Sequence, residues 1–174
     1  MLTIEQIEQE AAAQLASYTA AQAQYGAGPF PVNVQKLVMG LQINLEPMAD
    51  PRDPQGRRLL GGLRLSSGPP EIIYRMHTGF PEREVFTIAH EVGHYCLHRQ
   101  AAIDYFCTEQ DLDQRESAEQ THRRQEWEAN IFASALLMPR AEIVDRYQTW
   151  KGDPERLMEH FGVSREALYW RLVT

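Results

Sequence analysis

Two histidines four residues apart bracket a glutamate in His90-Glu91-Val92-Gly93-His94, inside a run from Phe86 to His98 that has the spacing of a helix. Four residues advance a helix by about 6 Å and turn it only about 40° beyond a full circle, so His90 and His94 share one face. Both imidazoles can therefore reach a single ion at the usual Zn–N distance of about 2.0–2.1 Å. Glu91 emerges beside them, set for the water that such an ion acidifies rather than for the ion itself. Val85, Ile88, Ala89, Val92 and Cys96 recur at i, i+3, i+4, i+7 and i+11, which gives the helix a buried stripe next to the histidine face. Few sequence features constrain a chain more tightly, because the stripe demands a core and the histidines demand a further ligand within reach of both.

His98 is badly placed to supply that ligand, since on a continuous helix it lies about 12 Å along the axis from His90. It is expected to sit at the negative end of the helix dipole, with at most a supporting role toward the ligands. A second helix, from Arg124 to Met138 and stopped by Pro139, is the better source. On it Glu126, Ala129, Asn130, Ala133 and Leu137 form a stripe whose alanines permit close approach to another helix. Glu126 is the preferred third ligand. Glu128, about 160° around the same helix on a stripe with Phe132 and Ala135, remains its rival.

The segments Phe86 to His94, Leu97-His98 and Glu126 to Pro139 resemble the two signature blocks of the ImmA/IrrE family of bacterial and phage metallopeptidases. The resemblance covers about the middle third of the chain, and the polar stretch 99–124 has no match in it. It implies a gluzincin-like plan: zinc on His90, His94 and a glutamate of the next helix, with Glu91 as the catalytic carboxylate. In that wider class the ligand glutamate stands four residues before an Asp or Asn, which Glu126 and Asn130 satisfy. Mn²⁺ or Fe²⁺ would suit the same donors.

A length of 174 residues with 43% apolar and 24% charged composition describes one domain, residues 1–174, with helices over 141–174 packed on it. The expected fold is α+β: a mostly helical, zincin-like domain with a small antiparallel sheet packed on the histidine helix. A Thr3/Gln6 capping box opens the first helix, running to about Gln24, and Asn33 opens a shorter one. Residues 43–47 begin the sheet, and 58–65 and 71–76 read as an antiparallel hairpin. Ile72 to Met76 reads either as the exposed edge on which a peptide substrate would add as a strand, or as an interior strand. Residues 99–124 are expected to form a solvated loop, a surface helix or a lid, with Tyr105 and His122 as weak candidates for stabilising an oxyanion. The helix–turn–helix pattern near the C-terminus carries mixed charge and reads as core packing.

The formal charge of −7, from 17 basic and 24 acidic residues, argues against direct binding to a nucleic-acid backbone. The acidic opening of the chain lacks the pattern of a signal peptide, and the longest apolar run, Ile131 to Met138, is too short to span a bilayer, so a cytoplasmic location is expected. Cys96 and Cys107 stand at no metal-ligand spacing and receive no role. A deformylase-type amidase would resemble its family in placing a cysteine ligand before the histidine helix, and no cysteine precedes Cys96. The resemblance implies a site-specific endopeptidase that cuts a helix-turn-helix transcriptional repressor, relieving repression in a stress response or a mobile element. The competing expectation is a non-catalytic, metal-binding regulatory or toxin–antitoxin module that binds the repressor without cutting it. That module would have a closed four-ligand site and no use for Glu91.

Overall fold

The histidine helix, the glutamate helix and a four-stranded sheet enclose one apolar core in the computed structural model, which describes residues 2–23, 28–66, 68–77, 79–101, 103–108 and 120–173. Helix α1 spans Ile4–Ala23. It opens with a reciprocal capping box, the Gln6 N–H donating to Thr3 Oγ1 (3.2 Å) and the Thr3 N–H to Gln6 Oε1 (2.9 Å). Its buried face carries Ile7, Ala11 and Tyr18, while Ile4 at the first turn is exposed. Helix α2, Val34–Gly40, is capped by Asn33, which accepts from the Lys36 N–H, and buries Val34, Leu37 and Val38.

The strands are β1 (Asn44–Met48), β2 (Leu59–Arg64), β3 (Glu71–Arg75) and β4 (Tyr105–Thr108), in spatial order β1-β3-β2-β4. The β2–β3 pair is the antiparallel hairpin foreseen, but β1 runs parallel to β3, so the sheet is mixed rather than antiparallel. Strand β3 is interior, which selects the second of the two readings of Ile72 to Met76 over the edge. Ile72 and Ile73 are fully buried and Tyr74 nearly so, an unbroken apolar run of the kind that strands covered on both sides require. The edge beside the histidine helix is instead β4, within the stretch read as loop or surface helix. Asp104 pins its start, accepting the Leu65 and Ser66 N–H groups at 2.8 and 3.0 Å. Residues 109–119, the centre of the proposed lid, lie outside the described residues.

Helix α3 spans Pro81–His98, with Pro81 in its first turn beside Glu82 and Glu84, and His98 in its last turn. Helix α4, Gln120–Leu137, packs on it, and Phe132, Ala133, Leu136 and Leu137 are completely buried. Helices α5 (Arg140–Thr149), α6 (Pro154–Phe161) and α7 (Arg165–Val173) follow. Asp153 caps α6, and Gly162, at φ 64°, ends it in the left-handed conformation that glycine tolerates best. Leu157, Phe161 and Leu168 carry these helices into the core. Arg171, itself buried, donates to the Met138 carbonyl (2.9 Å) and to Glu8 (2.7 Å), tying α7 to the end of α4 and to α1.

Candidate metal centre

The site forms where α3 and α4 come closest, and two small residues set that distance. A Cβ built on Gly93 would lie 3.1 Å from the Ala129 Cα and carbonyl oxygen and 3.2 Å from Phe132 Cβ. The glycine between the two histidines is thus the residue that lets α4 approach. His90 lies three residues before Gly93 and Glu126 three before Ala129, so each is one turn from the contact and they meet across it.

Donor atoms from three residues converge there, two imidazole nitrogens and the oxygens of one carboxylate. His90 Nε2 is 3.1 Å from Glu126 Oε2, His94 Nε2 is 3.2 Å from Glu126 Oε1, and the two Nε2 atoms are 3.1 Å apart. All three residues are buried. Donors about 2.05 Å from a tetrahedral ion stand about 3.3 Å from one another, so this triangle matches such an ion closely. Glu128 points elsewhere: its carboxylate takes His98 Nε2 (3.0 Å), Arg124 Nε (2.9 Å) and the Leu2 N–H (3.3 Å).

The outer partners orient the ring nitrogens. His90 Nδ1 faces Asn130 Oδ1 at 2.9 Å, which accepts its N–H and leaves Nε2 to turn inward. His94 Nδ1 is 3.1 Å from His98 Nδ1; with His98 Nε2–H donating to Glu128, His98 accepts from His94 and again leaves Nε2 for the site. The helix-end histidine is therefore the partner that holds His94, and the rival glutamate holds that partner. The Tyr105 ring stacks on His94 with centroids 4.6 Å apart, and its hydroxyl donates to the His98 carbonyl (3.2 Å). Tyr105 thus braces two of the histidines, one through its ring and one through its hydroxyl. His122, half exposed on α4, lies 3.9 Å from Glu126 at the rim.

Burial dominates the electrostatics. It would raise the Glu126 carboxyl, but the His90 and His94 imidazoles against it overcome burial and hold the group well below the ordinary carboxylate range. Burial disfavours imidazolium at His94 and lowers its pKa to about 4. At His90 burial acts the same way, yet Cys107 and Glu126 against the ring outweigh it and push the pKa well up. Glu91 is completely buried, and neither carboxylate oxygen has a hydrogen-bond partner. Burial, reinforced by Glu126, lifts its pKa to about 8 against the pull of His90. An orphaned carboxylate beside a donor triangle is costly unless a positive group faces it, which is a second sign that these residues suit a divalent cation.

The sheet closes the site from the other side. Gly61 of β2 leaves room for the helix, since a Cβ there would lie 2.5 Å from Thr87 Cγ2 and 2.9 Å from Glu91 Oε1. Opposite Gly61 on β4 stands Cys107, buried, and one imidazole nitrogen of His90, the Cys107 sulfur and a Glu126 oxygen all lie within 4.8 Å of one another. Sequence reasoning left this cysteine without a role. The one signal for it was the alternation Tyr105-Phe106-Cys107, which on a strand turns Tyr105 and Cys107 to the same face.

No curated protein matches the chain. A solved structure of a Mycobacterium tuberculosis transcriptional regulator shares the fold, with a TM-score of 0.51 and 15% sequence identity over 99% of this chain; the match spans 52% of that protein. A family model described as Peptidase_M78, the IrrE N-terminal-like domain, matches residues 54–173, from just before β2 to the end of α7 and including every residue of the donor triangle. A histidine pair, a glutamate from the following helix and a match over more than half the length agree, and the chain belongs to the IrrE N-terminal-like peptidase family.

Proposed function

We propose that the chain is a zinc-dependent endopeptidase whose substrate is a helix-turn-helix transcriptional repressor. The observation that carries the reading is the donor triangle of His90, His94 and Glu126 with the unpartnered Glu91 carboxylate beside it. His90, His94 and Glu126 would hold the ion, which when bound supplies a Lewis acid that polarises the scissile carbonyl and acidifies water. Glu91 takes a proton from the attacking water and delivers it to the leaving amine. Asn130 and the His98–Glu128 pair keep the ring nitrogens aimed at the ion.

The repressor as substrate rests on the family resemblance and on charge. A net −7 favours encounter with the basic surface of a DNA-binding protein. Incubation of the zinc-loaded protein with the repressor encoded nearest to it should yield a single cut, mapped by mass spectrometry. Glu91→Gln should keep its metal and lose the cut. The non-catalytic alternative draws support from the burial of Glu91 and from the sulfur facing the cluster, both features of a closed site. It predicts tight repressor binding without cleavage and no effect of Glu91→Gln on that binding.

A further inference from the structure

A buried cysteine ordinarily serves as a small apolar filler. Cys107 is placed otherwise. It lies on the short edge strand β4 and shares a face with Tyr105, the residue that stacks on His94. That face brings the ring of Tyr105 onto His94 and the sulfur of Cys107 to His90 and Glu126. Its partner across the ladder is Gly61, so the bulk on this face at that register comes from the cysteine, directly above the pocket that holds Glu91. Its hydrogen bond to the Thr108 carbonyl is long and weak, at 4.0 Å. Together with His90 and Glu126 it makes a buried nitrogen, sulfur and oxygen set within a 4.8 Å span. A thiolate and an imidazole on one tetrahedral ion sit about 3.6 Å apart, so a set already gathered within 4.8 Å needs only a small adjustment of the edge strand to share one ion.

We propose that Cys107 is a fourth donor to the metal, a thiol cap carried on β4 that fills the position hydrolysis needs open and keeps the peptidase latent. The proposal rests on the reading of His90, His94 and Glu126 as metal ligands. As the sulfur–metal bond forms, the S–H proton leaves to solvent; when it breaks, the thiol regains a proton and the position is free for water. Strand β4 also lies along the sheet edge where an extended substrate would pair, antiparallel to β2 through Leu63 with Tyr105, Gly62 with Phe106 and Gly61 with Cys107. Displacing β4 by a substrate strand would remove the sulfur from the metal and supply the scissile bond in one movement. This couples activation to the arrival of the correct partner.

The test is cobalt substitution of the full chain, read by absorption. Wild type should show the visible bands of four-coordinate Co²⁺ together with a near-ultraviolet thiolate-to-cobalt charge-transfer band. Cys107→Ala should lose the charge-transfer band and keep the visible ones, while Cys96→Ala, which alters the half-buried cysteine of α3, should keep both. Retention of the visible bands also reports that the Cys107 variant folds; if it does not, Cys107→Ser and the wild-type spectrum carry the same comparison. Cys107→Ala should in addition cut the repressor faster than wild type. Visible bands in wild type without charge transfer would overturn the cap while leaving the three-residue site standing. Absence of any cobalt spectrum would overturn the underlying metal site and the cap with it.

Discussion

Glu91→Gln should change the pH dependence of stability as well as activity, and the size of that change follows from burial. In the metal-free protein the carboxyl has no hydrogen-bond partner, and its pKa rises from an ordinary 4.5 to about 8. A folded-state value above the unfolded one means that the native protein keeps a proton the unfolded chain has already released. The stabilising contribution is complete below about pH 4.5 and is lost as pH rises toward about 8. At about 1.4 kcal/mol per pH unit, the loss over that window is at most about 5 kcal/mol. Glutamine does not titrate, so its unfavourable burial is the same at every pH. Urea unfolding of both metal-free proteins by circular dichroism, from about pH 5 to pH 8, should show wild type losing stability relative to Glu91→Gln by about 1.4 kcal/mol per unit. Slopes common to both proteins cancel in the difference. Saturating Zn²⁺ should flatten the relative slope, because a divalent charge beside the carboxylate favours its ionised form. Parallel curves without metal would refute the argument, for they would mean that Glu91 ionises in the folded protein as easily as in water.

Three further outcomes follow from the same geometry. Glu126→Gln should drop metal content well below one equivalent by elemental analysis, whereas Glu128→Gln should keep the site and weaken metal affinity by about 10- to 100-fold, as loss of a supporting carboxylate does. Gly61→Ala forces a methyl to within 2.5 Å of Thr87 and 2.9 Å of Glu91, an overpacking that should cost about 1–3 kcal/mol in thermal unfolding. Gly40→Ala, where a Cβ meets nothing within 4 Å, is the matched control, and equal stability of the two variants would defeat the steric argument. Burial raises the Glu8 carboxyl, but Arg140 and Arg171 outweigh it and hold the pKa below the ordinary value. Its contribution is present at neutral pH and lost as pH falls, so Glu8→Gln should show a smaller drop in thermal midpoint between pH 7 and about pH 3 than wild type.

The elements that were legible in the sequence are those whose signals are local. The Thr3/Gln6 box, the Asn33 cap and the stripe through Ile88, Ala89 and Val92 depend on residues within one or two turns of each other, and all appear in the structure. The sheet was less legible. The position of β3 between β1 and β2 is a pairing choice among distant segments, and the buried run Ile72-Ile73-Tyr74 fits an interior strand as naturally as an edge. Strand β4 is four residues long and follows a break after α3, so it carried too few residues for a period to emerge.

The same division runs through the site. The sequence by itself determined that His90 and His94 share a face with Glu91 beside them, because helical pitch makes an i, i+4 relation a matter of covalent geometry and backbone hydrogen bonding. It also supplied the small residues, Gly93 and Ala129, that permit a close helix crossing. Only the tertiary structure decided that Glu126 turns to the histidines while Glu128 turns to His98, that the hydroxyl of Tyr105 donates to a carbonyl, and that Cys107 comes down on the cluster from a strand. Each of those depends on the rotation and offset of one element against another. Such a relation is set by how the whole core packs, and no span of the chain carries it alone.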